Sequence, residues 1–436
     1  MRRIDAAARW FREPWRLSVL LVALIPALPE YVCPLLAMGA LAAALVDARR
    51  RGGRMTSGPL GWLVAAYTVY MAVGLIYTPH VGSTLSTVGM WAVMLTAYLA
   101  TTTALVSRER LRAALLCNSV TAGVTGLIGC GQYLLGLLSN GRTPIHFWGF
   151  LDNIVLKWFP IELLPLTTEL RVSSTFNNPN IFGEYLIMVI PFVAYFAFSG
   201  KKSGIKVVCR VSLLLAAGAV LFTFSRACYF ALVAAALVFC LGSGKRFVLL
   251  APAGAAGLLL MPDAVVQRLL SLRLSDVSVN ERARVLQAGI QAVARHPLAG
   301  VGAGVSNSWD ILRQEGINAP HMHNLYLQIL VEGGVPALLL MLVVLAALLR
   351  IGVCLVKNGA ESRSLGIAFL AFFVAFLFLG LVEFPFLTPK LVGVFLLVLG
   401  LGDSASGIFL GRPPRGLRET PGLRRLFLRQ ENGAGR

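Results

Sequence analysis

Long apolar runs recur from one end of this chain to the other, and they constrain its fold more than any other feature. They lie at about 17–29, 31–47, 59–77, 84–105, 113–137, 183–199, 207–224, 227–241, 247–261, 335–355, 365–383 and 388–402. Most of these runs have, or nearly have, the roughly 20 residues that a helix needs to cross the hydrocarbon of a bilayer. The runs also lack the alternating pattern of roughly ten-residue segments that a β-barrel requires. Charged residues make up 14% of the chain, against about 25% in a soluble domain. The fold class expected is therefore all-α, a polytopic membrane protein of about 12 transmembrane helices.

Charge decides between span counts. With the N-terminus in the cytoplasm, twelve spans put most of the 39 lysines and arginines on the cytoplasmic side, including Arg49-Arg50-Arg51, Arg108, Arg110, Arg112, Lys201-Lys202 and Lys245-Arg246. Fusing the first two runs into one helix would move every later loop to the opposite side and reverse that bias. The positive-inside rule thus favours twelve spans with both termini cytoplasmic. The net charge of +19 then reflects topology, and no nucleic-acid partner is expected. Five arginines precede Leu17 without a clean small-residue cleavage site after them, so the first run reads as a retained span. All seven cysteines fall within apolar runs and form no C-x-x-C pair, which argues against disulfides and zinc.

This topology yields a single membrane domain over 1–402 and a basic cytoplasmic tail over 403–436. Two outward segments are long, at about 138–182 and 262–334. In the second, Ser278-Val279-Asn280-Glu281 fits a capping box, with an amphipathic helix following to about Arg295 and stopping before Pro297. Helical spacing puts Arg282, Leu286, Gly289 and Val293 on a face turned to the protein, and Arg284 on the solvated side with Ala288. A glycine-rich turn follows, His296-Pro297-Leu298-Ala299-Gly300-Val301-Gly302-Ala303-Gly304. A further short helix should begin near Asn324 and break at Gly333-Gly334 and Pro336.

The candidate chemistry sits in these outward segments. His323, in Pro320-His321-Met322-His323-Asn324, stands at the mouth of a helix, where an imidazole can serve as a base near neutral pH or donate to a phosphate. His321 shares its face in an extended segment. The two lack a third ligand at suitable spacing, so no metal is expected. Arg171, Arg226 and Arg282 stand at outer span ends or on the inward helix face, and guanidinium forks suit a diphosphate. The bland reading of each is an arginine that snorkels to lipid headgroups. For Arg284 that reading is the better one. Glu184 and Glu332 are rare carboxylates at helix ends, read first as interhelical contacts. The chain contains no nucleoside-triphosphate P-loop, no G-x-G-x-x-G and no H-E-x-x-H. Neither ATP-driven chemistry nor zinc proteolysis is expected.

Four segments carry a resemblance. H-N-L-Y-L-Q-I-L-V-E-G-G (323–334), R-A-R-V-L-Q-A-G-I-Q-A-V-A-R-H-P-L-A-G-V-G-A-G (282–304), R-V-S-S-T-F-N-N-P-N (171–180) and T-F-S-R-A (223–227) resemble motifs of the O-antigen ligase and polymerase superfamily. Three positions depart from its pattern. Leu286 stands where the family often has Trp, and Ser174 and Ala227 stand where it often has Gly.

The resemblance implies a membrane glycosyltransferase of C-type architecture in the bacterial inner membrane, working on its outer face. Its donor would be an undecaprenyl-diphosphate-linked glycan, and its acceptor lipid A-core or another envelope glycan, as in lipopolysaccharide biosynthesis. It implies no cofactor. The family's critical histidine falls on His323 and its critical loop arginine on Arg282. Arg171 and Arg226 stand at the other basic motifs, so that Arg171, Arg226 and Arg282 would bind the diphosphate. His321, Asn324, Glu332 and Arg284 are expected in support. A ligase is the preferred reading. A polymerase would use the same donor, a lipid-linked glycan flippase would need charges in mid-span, and a non-catalytic subunit of an envelope-synthesis complex would need neither.

Overall fold

The computed structural model describes residues 13–138, 171–199, 203–243, 277–412 and 415–416. Among these residues the chain forms thirteen α-helices. They are α1 Pro14–Leu24, α2 Cys33–Arg50, α3 Pro59–Val73, α4 Val81–Ala104, α5 Arg108–Leu138, α6 Pro179–Ser199 and α7 Ser203–Phe222. The rest are α8 Arg226–Ser243, α9 Val277–Arg295, α10 Val305–Gln314, α11 Leu325–Lys357, α12 Ala360–Gly380 and α13 Pro389–Leu410. A two-residue bridge pairs Thr56 with Gly416. Nine of the described helices are long and apolar enough to cross a membrane, and α1 and α8 are shorter apolar helices. This is the all-α polytopic class. The first two apolar runs form separate helices packed on each other, α1 and α2. The run at 247–261 and most of the segment at 138–182 lie outside the described residues.

Contacts sort the turns into two ends. At one end Asp47 receives Arg51 at 2.8 Å and Arg110 at 2.5 Å, and Arg108 meets Glu361 at 2.5 Å. At the other end gather the α1–α2 and α3–α4 turns, the segment 171–178, the α7–α8 turn, the glycine-rich turn, residues 317–324 and the α12–α13 turn. Thr175 Oγ1 donates to Pro26 O at 2.9 Å, and Asn324 Nδ2 to Leu381 O at 2.8 Å, across this end. The last helix runs to Leu410 and passes the tail boundary expected at 403. It does so because Asp403 is buried there, accepting the Leu60 N–H at 3.0 Å and the Tyr98 hydroxyl at 2.6 Å.

A kink in α11 organises the site end. Pro336 has no N–H, so the Glu332 carbonyl loses its helical partner; Gly302 N–H supplies one at 3.0 Å. Val335 N–H turns to Pro297 O at 2.8 Å, and Val301 N–H takes the Val331 carbonyl thus freed, at 2.9 Å. Gly334 makes the bend at φ 68°, where a side chain would be strained and a Cβ would stand 2.4 Å from Leu298 O. The expected break is found there: the backbone leaves helical angles at Gly334, and α11 is two helical segments joined across the kink. Asn324 caps α11, its Oδ1 accepting Leu327 N–H at 2.9 Å.

The α9–α10 hairpin lies over this kink. A small core of Val285, Ala288, Ala292, Leu312, Met322, Leu327 and Val331 joins α9, α10 and the outer part of α11. The expected face of α9 is corrected by this packing: Ala288 is buried, while Leu286 is 47% exposed. Small residues let α9 lie close to α11, and the bulky Leu286 falls outside the contact. The helix is already formed at Val277, and the Ser278 side chain expected as its cap lies outside the described residues.

Candidate active site

Three separate segments of chain meet around one carboxylate. Glu383, in the turn between α12 and α13, is 3% exposed. Its Oε1 accepts a hydrogen bond from Arg282 Nη2 at 3.0 Å. Its Oε2 stands 3.7 Å from His323 Nδ1. That nitrogen is buried and has no hydrogen-bond partner among the described residues, although the His323 side chain keeps 28% of its surface exposed. The geometry leaves Nε2 as the nitrogen able to meet a substrate. Asn324 ties the same histidine segment to Leu381, two residues before Glu383, so the carboxylate and the imidazole are held by one contact.

Backbone conformation aims the histidines. His323 has φ 46°, in the left-handed region, which is rare for a residue with a side chain and worth a functional reading. The turn brings the His321 and His323 rings to 4.2 Å between centroids. His321 Nδ1 accepts the His323 backbone N–H at 3.2 Å, so the His321 proton resides on Nε2. Burial, with help from the neighbouring His323 and Arg282 charges, pushes the His321 imidazole down to about 3. It is a neutral residue that shapes the turn.

Arg171 and Arg226 stand on a second pair of segments. Arg171 Nε donates to Thr223 O at 2.8 Å, its Nη2 meets Asn180 Oδ1, and Val172 N–H bonds Phe222 O at 3.1 Å. This lashes 171–172 to the α7–α8 turn, where Arg226 is the first residue of α8 and half-buried. Ser174, one of the departures, has φ 53°. A glycine would sit there without strain; the serine is held instead by its N–H to Gln132 Oε1 at 2.7 Å and its hydroxyl to Thr125 O at 2.6 Å. Lys390, at the start of α13, is buried and donates to Thr175 O at 2.5 Å, with its ammonium 4.3 Å from the Phe176 ring centre.

The two groups face a shared interior. The buried Cys228 thiol feels Glu184, Glu383 and Arg171 together. Glu184 lies within electrostatic range of Glu383, and Glu184 Oε2 is buried without a partner among the described residues. Thus Arg171, Glu184, Glu383, Arg282, His323 and His321 are brought to one region at the end of the bundle expected to face outward. Glu332 lies outside this cluster, its Oε1 accepting Gly304 N–H at 3.1 Å and Gln328 Nε2 at 2.8 Å. Arg284 turns away, donating to Glu315 O at 3.0 Å on the exposed side of α9. It is not brought to the cluster, because the buried stripe on α9 passes through Val285 and Ala288.

Motif reading alone misses Glu383. A signal for it does exist: between Arg363 and Asp403 the only charged residues are Glu383 and Lys390, and ionisable groups within apolar stretches mark function more often than packing. Among the described residues no three His, Cys, Asp or Glu side chains converge in a way that could hold a metal ion.

Comparison with known proteins adds a family. A family model described as O-antigen ligase matches residues 211–342, a stretch that holds Arg226, Arg282 and His323. No curated protein matches the chain.

Proposed function

From the premise that this chain belongs, through residues 211–342, to the O-antigen ligase and polymerase superfamily of membrane glycosyltransferases, we propose a ligase-type transfer. The glycan moves from undecaprenyl diphosphate to lipid A-core or another envelope acceptor. The reaction takes place at the outer face of the bacterial inner membrane, with both termini cytoplasmic. The Arg282–Glu383–His323 cluster is the observation that carries the reading. It joins a phosphate-binding cation to an imidazole backed by a carboxylate.

In this mechanism the lipid tail stays in the bilayer while Arg171, Arg226 and Arg282 hold the diphosphate. Arg282 gives one donor to Glu383, and a guanidinium has five, so donors remain for phosphate oxygens. His323 Nε2 takes the proton of the acceptor hydroxyl as that oxygen attacks the anomeric carbon. The new C–O bond forms as the bond from the anomeric carbon to phosphate oxygen breaks, and the electron pair leaves on the diphosphate. The arginines stabilise that growing charge, so no metal is required. Glu383 orients the ring and stabilises the imidazolium, as carboxylates do in other acid–base pairs. Asn324 and His321 hold the turn that presents the ring.

The test uses the full chain in lipid nanodiscs with an undecaprenyl-diphosphate glycan and a lipid acceptor. Wild type releases undecaprenyl diphosphate with glycan on the acceptor. Folded His323→Ala and Arg282→Ala variants that kept full activity would sink the mechanism. Deleting the gene separates ligase from polymerase: a full-length polymer accumulates on the carrier in the first case, a single repeat unit in the second.

A further inference from the structure

A cavity opens beside the Arg282–Glu383–His323 cluster. It encloses about 350 Å³ between α3, α4, the start of α10 and the α12–α13 turn. That volume falls within the roughly 300–1,000 Å³ of small-molecule sites. Its wall toward the chemistry is Phe384, the residue after Glu383. The Phe384 ring lies 6.1 Å from the His321 ring, which is itself 4.2 Å from His323.

The lining is of a particular kind. Ser83, Ser86, Thr87 and Ser306 bring hydroxyls, and Ser83 Oγ also accepts the Ser306 N–H at 3.2 Å, fixing α10 against α4. Gly304, at φ 113°, permits that approach, since a Cβ there would lie 2.4 Å from Ser83 Oγ. Trp91, Phe384 and Phe386 bring aromatic surface and brace one another, with Trp91 and Phe386 rings 4.9 Å apart and Phe384 and Phe386 6.2 Å apart. The buried Glu332 carboxylate also lines the space, and among the described residues no lysine, arginine or histidine does. A phosphate meets no cation in that lining. A neutral pyranose fits both surfaces: its hydroxyls meet short hydroxyls and a carboxylate acceptor, and its C–H face lies on aromatic rings.

We propose that this cavity seats an uncharged sugar ring of a glycan substrate, holding it next to His323. The inference deepens the transferase reading and rests on it for the identity of the glycan, which is either the acceptor's terminal sugar or the donor's reducing-end sugars. Saturation-transfer NMR on the full-length protein in detergent provides a test that needs no turnover. The probes are methyl β-D-galactopyranoside, methyl N-acetyl-β-D-glucosaminide and sodium glucuronate. A neutral glycoside gives a signal, the glucuronate gives less because its carboxylate meets no cation in the lining, and filling the cavity with Ser86→Leu or Thr87→Leu abolishes the signal. No signal from the neutral glycosides, or signals that survive both leucine variants, would overturn the proposal.

Kinetics then identify the source. In the transfer assay Ser86→Leu raises by about tenfold the KM of whichever substrate carries the seated sugar, leaving the other KM alone. A rise for the acceptor or for the donor supports the site and names its occupant; no change in either overturns it. If wild type transfers nothing from any lipid diphosphate, the transferase reading falls, and the NMR result still decides whether the cavity binds sugars.

Discussion

Replacing Glu383 by Gln removes one charge and almost no volume from the centre of the proposed site, so the loss can be worked out. At 3.7 Å between His323 Nδ1 and Glu383 Oε2, a unit charge pair attracts by about 4.5 kcal/mol at an effective dielectric near 20. The side chains are 28% and 5% exposed, so water and salt trim part of this. If about two-thirds or more survives at the transition state, roughly 3–4 kcal/mol is lost, or about 10²-fold to 10³-fold in kcat. This lies inside the ~10²–10⁴ range of general acid–base catalysis. Arg282 keeps a hydrogen-bond acceptor in the amide oxygen of the substituted side chain, so donor KM changes little.

The assay is a double-mutant cycle in nanodiscs, following release of undecaprenyl diphosphate. Glu383→Gln, His323→Gln and the double variant are compared after each is shown to be monodisperse with a melting transition near wild type. If Glu383 acts through His323, the double variant is no worse than His323→Gln alone, because two parts of one device are non-additive. Penalties that multiply would refute the partnership. So would a Glu383→Gln enzyme within about threefold of wild type where His323→Gln is inactive.

Further outcomes follow from other contacts. His321 is held down to about 3 by burial first and then by its charged neighbours, below an unfolded value near 6.5. Its contribution to stability is therefore complete above about pH 6.5 and drains as pH falls toward 3, by at most about 1.4 kcal/mol per pH unit; melting curves of His321→Gln should lose that acid slope, and parallel curves would disprove it. Gly334→Ala forces a side chain into a left-handed bend against Leu298 O, costing about 1–3 kcal/mol, whereas Gly131→Ala in α5, where a Cβ meets nothing within 4 Å, should be neutral or stabilising in the same thermal assay. Lys390→Met leaves the Thr175 carbonyl without its ammonium, which should cost about 1–3 kcal/mol and speed amide exchange across 171–178.

How much of this is legible from residues alone depends on where the information lies. The long membrane helices are legible because each is an independent apolar run, and α1 and α2 separate as the charge argument requires. Arg171, Arg282 and His323 stand out as candidates because each sits in a motif with its own local spacing. What escapes is set by tertiary packing. The buried stripe of α9 cannot be told from its periodicity, since apolar residues occupy two faces and only the approach of α11 chooses Ala288 over Leu286. Short α10 has a polar sequence whose helical start depends on Ser83, 223 residues before Ser306.

Glu383 shows why motif reading alone gives an incomplete site. Its neighbours, Val382 and Phe384, form no recognisable pattern, and nothing local tells that the turn folds back over α9 and α11. Yet burying a carboxylate is costly unless it is paired, and within this apolar stretch the only other charge, Lys390, is engaged with Thr175. A partner has to come from elsewhere in the chain, and the unassigned cation on the inward side of α9 is Arg282. The departures point the same way. Ser174 tolerates a backbone angle suited to glycine because Gln132 and Thr125 hold it, and Leu286 is largely exposed, outside the small core beneath α9. The substitutions fall on positions that shape the frame, while Arg282, His323 and the carboxylate that joins them remain in contact range of one another.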